Sequence, residues 1–349
     1  MTTKIPKLKI AVVNNWVPFL RGGAELLAEK LCRELQENGH QVELVRVPFR
    51  WDTPHRVIDS VLAARMMDFG FYDRVLPIKF PAYCIKHPKK TVWLLHQFRQ
   101  MYDLWDEGNV GTAWDEARAI IKNVDHRSMT EALKIYCNYY VTADRLERFN
   151  QLKAEVLLQP PLETPRPMGQ PEFSDFILCL GRINAGKRQH LMVDALAETK
   201  SKLNLVIVGP VETDADRELI ENKIRAHGLQ DRVDFRAGFI PEEEKADLLR
   251  RARAVAYLPL DEDCYGYVTL EGFLAGKPLI TGTDCGGVTH FVGECGNLVA
   301  ENTSATALAR CIDQLDDLEI ARTLGARGYA HTIATVPTWS HVIGKLLHE

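Results

Sequence analysis

Short apolar runs of strand length, each followed by a helix-forming stretch, recur from one end of this 349-residue chain to the other. A strand buried on both faces reads as a continuous apolar run, and its return to the same sheet in parallel needs a crossover helix. The alternation therefore points to doubly wound, parallel-sheet α/β architecture. In the first half the runs are Lys9 to Val13, followed by Asn14-Asn15 as a loop, then Gln41 to Val47, Thr91 to Leu95, Tyr139 to Thr142 and Ala154 to Leu158. The second half repeats the plan at Phe176 to Leu180, Leu203 to Val208, Val233 to Ala237, Ala254 to Leu260 and Pro278 to Thr281.

Prolines 160, 161, 165, 167 and 171 break the pattern between the halves and read as a linker over residues 159–172. Two Rossmann-like domains follow, 1–158 and 173–331, which is in keeping with about 150 residues per core. Eight cysteines form no C-x-x-C pair and lie mostly inside apolar segments, so they read as buried free thiols. No run approaches the roughly 20 apolar residues of a membrane span, and a cytoplasmic protein is expected. The net charge of −4 divides into a mildly basic first half and an acidic second half. That balance suits an anionic acceptor or a peripheral contact with the inner membrane face, and it lacks the basic density of a nucleic-acid binder.

The chemistry concentrates at the carboxyl ends of two runs, where α/β sheets bind ligands. After Ala254 to Leu260 comes D-C-Y-G-Y-V-T-L-E, residues 263–271, with Asp263 and Glu271 around a turn at Gly266 that opens a helix. The amides of Tyr267, Val268 and Thr269 would be the unpaired donors of that helix start, a site for an anion such as a diphosphate. After Ile177 to Leu180 come Gly181-Arg182 and, five residues on, Lys187. A guanidinium fork and an ammonium point charge suit a diphosphate leaving group without a metal.

Order and spacing resemble the family 4 glycosyltransferases of the GT-B fold (glycosyltransferase group 1), whose usual pattern is E-x-F-G-x-x-x-x-E with G-R-x4-K upstream. The resemblance extends to Gly22-Gly23, to A-x-G-x-P at Ala275 to Pro278 and to Gly286-Gly287. It implies two Rossmann-like domains facing across a cleft and a retaining sugar transfer from a nucleotide diphosphate donor to a saccharide or lipid-linked acceptor, with no metal cofactor. Cell-surface polysaccharide or glycolipid assembly is the implied setting. Arg182 and Lys187 are implied on the diphosphate, Glu271 on the ribose and Asp263 on the donor sugar. His96, after the run Thr91 to Leu95, is implied as a second catalytic residue, Gly22, Gly23 and Gly209 as backbone approaches to the donor, and Phe239 as the wall for its base. A last helix, within about 332–349, is implied to pack on the first domain. The charged, aromatic segment from Gln97 to Lys134 suits acceptor recognition, and Arg56 to Phe69 reads as a helix whose apolar side chains pack into the core or rest on lipid.

Three positions depart from the pattern: Asp263 stands for the usual glutamate, Arg188 for a glycine and His290 for a glutamate of the Gly-Gly loop. They leave a second reading, a catalytically weak donor-binding subunit supporting a partner glycosyltransferase. Asp261-Glu262-Asp263 also matches the D-x-D metal motif of metal-dependent transferases. No G-x-G-x-x-G follows an expected strand, which argues against a dinucleotide oxidoreductase.

Overall fold

The computed structural model describes residues 7–19, 22–105, 111–162 and 171–348. The chain divides into two compact units, Met1–Leu162 with Pro337–Glu349, and Glu163–Val336. Part of the proline-rich linker, residues 163–170, lies outside the described residues.

In the first unit the strands are β1 (Lys9–Trp16), β2 (Gln41–Pro48), β3 (Arg74–Pro77), β4 (Thr91–Leu94), β5 (Lys134–Cys137) and β6 (Glu155–Val156). They pair in parallel as β2-β1-β3 and β4-β5-β6, and isolated parallel bridges Val75↔Lys90 and Lys79↔His96 carry the first ladder into the second. Between them run α1 (Gly23–Glu37), α2 (Pro54–Met66), α3 (Thr112–Thr130) and α4 (Tyr140–Asn150). Helix α1 shows the usual logic: Leu27, Ala28, Leu31 and Leu35 recur at helical spacing and are fully buried, and Gly39, at φ 91°, turns the chain toward β2.

Two local expectations are corrected. Asn14 and Asn15 are not a loop but extend β1, both buried, paired with Arg46 and Val47 of β2. Tyr139 to Thr142 is not a strand. Tyr139 caps α4, and Thr142, Leu146 and Asn150 bury at four-residue spacing, so the helical period outweighs a brief aromatic and β-branched run. The strand there is β5, just upstream. Strand β3, only four residues long with an arginine and a proline, was masked by its composition.

In the second unit the strands are β7 (Phe176–Leu180), β8 (Asn204–Gly209), β9 (Val233–Ala237), β10 (Ala254–Ala256), β11 (Leu279–Gly282) and β12 (Leu298–Ala300), in one parallel sheet ordered β12-β11-β10-β7-β8-β9. The crossovers are α5 (His190–Glu198), α6 (Asp214–Ala226), α7 (Glu242–Arg251), α8 (Gly266–Leu274) and α9 (Gly287–Glu294), followed by α10 (Ala305–Gln314) and α11 (Leu318–Thr335). The apolar run expected as a strand to Leu260 leaves the ladder after Ala256; Pro259 has no N–H to give a neighbouring strand, and Leu260 is exposed.

The last helix, α12 (Trp339–Leu347), packs within the first unit. Its Val342, Ile343, Leu346 and Leu347 are buried, Trp339 Nε1 donates to the Pro161 carbonyl at 2.9 Å, and Lys345 pairs with Glu155 at 2.6 Å. The eight cysteines are free thiols. Among the described residues no helix is long and apolar enough to cross a membrane.

One buried polar group in the first unit has a measurable signature. Asp125 of α3 is fully buried, and its Oδ2 accepts from the hydroxyls of Tyr83 at 2.9 Å and Tyr102 at 2.8 Å. Burial pushes its carboxyl up to about 7, against the pull of both tyrosines. A carboxyl raised above its unfolded value of about 3.9 stabilises the fold below that value and loses the contribution as pH rises through its folded one. The melting temperature of the wild type is expected to fall, relative to Asp125→Asn, as pH is raised from 4 through 7; parallel curves for the two proteins would contradict this.

Candidate functional site

The strand order of the second unit places β7 and β10 side by side while their crossovers run outward to β8 on one side and β11 on the other. The carboxyl ends of two such strands open a crevice, the ligand position of doubly wound sheets. Both sequence motifs leave the sheet there.

The loop after β7 begins at Gly181, at φ 109°, against which Val268 of α8 packs. A side chain on Gly209 at the end of β8 would put its Cβ 1.9 Å from the Gly181 carbonyl oxygen, so Gly209 is a point of backbone contact between the two loops. Ile183 N donates to Pro210 O at 2.9 Å and Glu212 N to Ile183 O at 3.0 Å, and Arg182 reaches Glu212 at 3.5 Å. Asn184 then turns the chain, its carbonyl and side-chain oxygens accepting from Lys187 N at 3.0 and 2.9 Å.

Lys187 points at the loop after β10. Its ammonium donates to the Tyr257 hydroxyl at 2.9 Å and forms a direct ion pair with Glu262. Burial works to deprotonate it, but Tyr257 and Glu262 more than offset that and hold it cationic. Gly266, at φ 66°, starts α8 directly against Tyr257, and a Cβ there would lie 2.7 Å from the ring. The first-turn amides, those of Tyr267, Val268 and Thr269 included, have no carbonyl four residues back inside the helix. The hydroxyls of Tyr267 and Thr269 are buried without a hydrogen-bond partner. Glu271, one turn on, pairs with Lys245 of α7 at 3.1 Å; burial raises its carboxyl pKa while Lys245 opposes the rise. Asp263 is buried on the same loop.

Arg188 builds the frame, and sequence reasoning treated it only as a departure. Its guanidinium takes Asp284 in a fork at 2.7 and 2.8 Å and donates to the carbonyls of Leu258 at 2.8 Å and Pro259 at 3.3 Å. Around it Leu260 N meets Gly186 O at 2.8 Å, Asp261 N meets Asp284 O at 2.9 Å and Gly287 N meets Glu262 O at 2.8 Å. Three loops are thus tied at one point. Arg188 sits at φ 52°, the left-handed region that favours glycine; the strain of about 1–2 kcal/mol is compensated by five hydrogen bonds of its side chain. That need for a left-handed residue was the sequence signal. Tyr257, also missed, lay within the apolar run Ala254 to Leu260, and Glu262 was read only as the middle of the Asp261-Glu262-Asp263 motif.

Phe239 stands apart from this cluster, after Gly238 at the end of edge strand β9, and is 83% exposed. His290 pairs with Glu294 at 3.2 Å on α9. Among the described residues no three His, Cys, Asp or Glu side chains gather as a metal-ligand set. His96, Gly22 and Gly23 belong to the first unit. There the ends of β1, β3 and β4 collect Asn15, Lys79 and His96, and Lys79 pairs with Glu25 at 2.9 Å while Glu25 accepts from Gly22 N at 2.9 Å. His96 Nδ1 donates to Gln97 O at 2.7 Å, which fixes the proton on that nitrogen.

Arg188 holds the Asp284 carboxyl down at about 2, with Thr303 assisting. A depressed carboxyl stabilises the fold above its unfolded value of about 3.9 and loses the contribution as pH falls through its folded one. Arg188→Ala should therefore lower the melting temperature at pH 6, with the gap to wild type narrowing as the pH is taken down toward 2. A gap independent of pH would remove the ion pair from the account.

Residues 163–330 match the family model described as Glycosyl transferases group 1. No curated protein sequence matches the chain significantly. Among solved structures, WaaG, a glycosyltransferase involved in lipopolysaccharide biosynthesis, is 17% identical with a TM-score of 0.71, covering 97% of this chain and 98% of that one. Anabaena Alr3699/HepE in complex with UDP-glucose is 16% identical with a TM-score of 0.70 over 97% of this chain and 98% of that one. A glycosyltransferase from Rickettsia africae is 16% identical with a TM-score of 0.71 over 98% of this chain and 97% of that one. At such identities the likeness speaks for the fold, and the fold is GT-B. The family model matches the unit that carries the site, and the architecture of the chain is that of the GT-B glycosyltransferases it resembles.

Proposed function

We propose that the chain transfers a sugar, with retention of configuration and without a metal ion, from a nucleotide diphosphate sugar to a saccharide or lipid-linked acceptor in cell-surface polysaccharide or glycolipid assembly. The observation that carries this reading is the meeting of Lys187, the α8 start and the Arg182 loop at the β7/β10 crevice. A diphosphate placed there would take the lysine ammonium, the first-turn amides and the positive end of the helix dipole, with Arg182 above it. These groups would act by stabilising the charge that builds on the departing diphosphate as the glycosidic bond to it breaks, a preorganised electrostatic contribution. On this reading the protein's own cations and helix start would fill that role. Glu271, one turn into α8 and partly relieved of its charge by Lys245, is assigned to the ribose hydroxyls, Asp263 to the donor sugar and His96 to the first unit's share of the chemistry.

A uracil base is favoured because Alr3699/HepE carries UDP and UDP-glucose in the same fold. The lipopolysaccharide setting of WaaG favours a glycolipid or polysaccharide acceptor. A peripheral membrane contact would fit α2, where Leu62 and Met66 are exposed, with Phe71 just beyond.

Arg182→Ala and Lys187→Ala should each reduce kcat/KM for the donor by about a hundredfold or more, the scale of losing one charge-stabilising donor. Activity should survive EDTA. Wild-type rates in the Arg182 variant would remove its assigned role, and activity abolished by EDTA and restored by manganese would move the chemistry to the Asp261-Glu262-Asp263 metal reading.

A further inference from the structure

Lys187 is not held ready for an anion; it already has one. Glu262 and the Tyr257 hydroxyl occupy its ammonium, and both ends of the ion pair keep a path to solvent, with side-chain exposures of 22% for Lys187 and 29% for Glu262. Glu262 itself can move only by its side chain. Its amide donates to Cys285 O at 3.3 Å, its carbonyl accepts from Gly287 N at 2.8 Å, and a Cβ on Gly286 would lie 2.3 Å from that carbonyl. The backbone is held against the Gly286-Gly287 loop, so an exchange of the Lys187 contact falls to the side chain.

We propose that Glu262 is an internal competitor of the substrate: its carboxylate occupies Lys187 until a diphosphate displaces it, and it recaptures the lysine as the nucleoside diphosphate product leaves. The proposal rests on the reading of Lys187 as a diphosphate ligand. A diphosphate brings more charge and more acceptor oxygens than one carboxylate, so it wins the exchange, but at an affinity lower than an unpaired Lys187 would give. Once displaced, Glu262 is a like charge beside the diphosphate and turns outward. Its return supplies a driving force for product release, a step that limits turnover in many enzymes. Glu262 is thus a positioning residue acting through Lys187, and it sets product affinity in the direction opposite to that of a ligand contact.

The sign of the effect tests this. UDP and GDP binding would be measured by calorimetry on wild type, Glu262→Gln, Lys187→Gln and the double variant, with thermal melts confirming that each is folded and Glu262→Ala as a second removal of the carboxylate. The expected result is five- to tenfold tighter binding of the recognised nucleotide by Glu262→Gln and Glu262→Ala, weaker binding by Lys187→Gln, and no tightening when Glu262→Gln is added to Lys187→Gln. The constant for product inhibition should fall in step with the dissociation constant. Unchanged or weaker binding by folded Glu262 variants, with Lys187→Gln still impaired, overturns the competitor while leaving the donor site standing. Wild-type affinity in Lys187→Gln, or no binding of either nucleotide by the wild type, overturns the donor-site reading and the competitor with it.

Discussion

The sheet of the second unit reverses its direction of winding between β7 and β10, and the site follows from that reversal. Crossovers that leave in opposite directions cannot cover the carboxyl ends of the two strands between them. The loops there stand beside the amino-terminal turn of α8, whose amides the helix cannot satisfy from within. Everything else in the site is a device for holding those loops still. Gly209 lets the β8 end press against the Gly181 carbonyl, Gly266 lets α8 start against Tyr257, and the Arg188 fork on Asp284 ties the loops after β7, β10 and β11 together.

Charge in this region is arranged in opposed pairs. Lys187 faces Glu262, Arg182 faces Glu212, Arg188 faces Asp284, and Glu271 faces Lys245. Two roles can be told apart by geometry. The Arg188 pair is forked, reinforced by backbone carbonyls and by a hydrogen bond from Thr303 to Asp284, as suits a fixed strut. The Lys187 pair takes in the Tyr257 hydroxyl and keeps both side chains partly exposed, as suits a contact that is exchanged. A charged ligand entering such a site replaces interactions more than it adds them, so affinity reflects the difference between two sets of pairs.

Most of the architecture was legible because strand-sized apolar runs and helical periodicity survive in a single sequence. Strands β1, β2, β4, β7, β8, β9 and β11 coincide with such runs to within a few residues. The misses share a cause, which is that local composition and tertiary placement disagreed. Tyr139 to Thr142 has strand-forming residues but lies where α4 must begin, Asn14 and Asn15 look like a turn but complete β1, and β3 and β12 are too short to carry a period. Within the site, Arg182, Lys187, Gly266 and Glu271 were found by spacing, since spacing fixes which strand end delivers them. Arg188, Tyr257 and Glu262 depend on which side chains meet across loops distant in sequence, and nothing local encodes a contact between residues 188 and 284.

The central claim is that a pyrophosphate binds at the β7/β10 crevice against Lys187 and the start of α8. A crystal structure of the protein with UDP tests it most directly. The account predicts phosphate oxygens within hydrogen-bond distance of the Lys187 ammonium and of at least one first-turn amide of α8, with the Glu262 carboxylate turned away. A diphosphate bound elsewhere, with the Lys187–Glu262 pair intact, would contradict it.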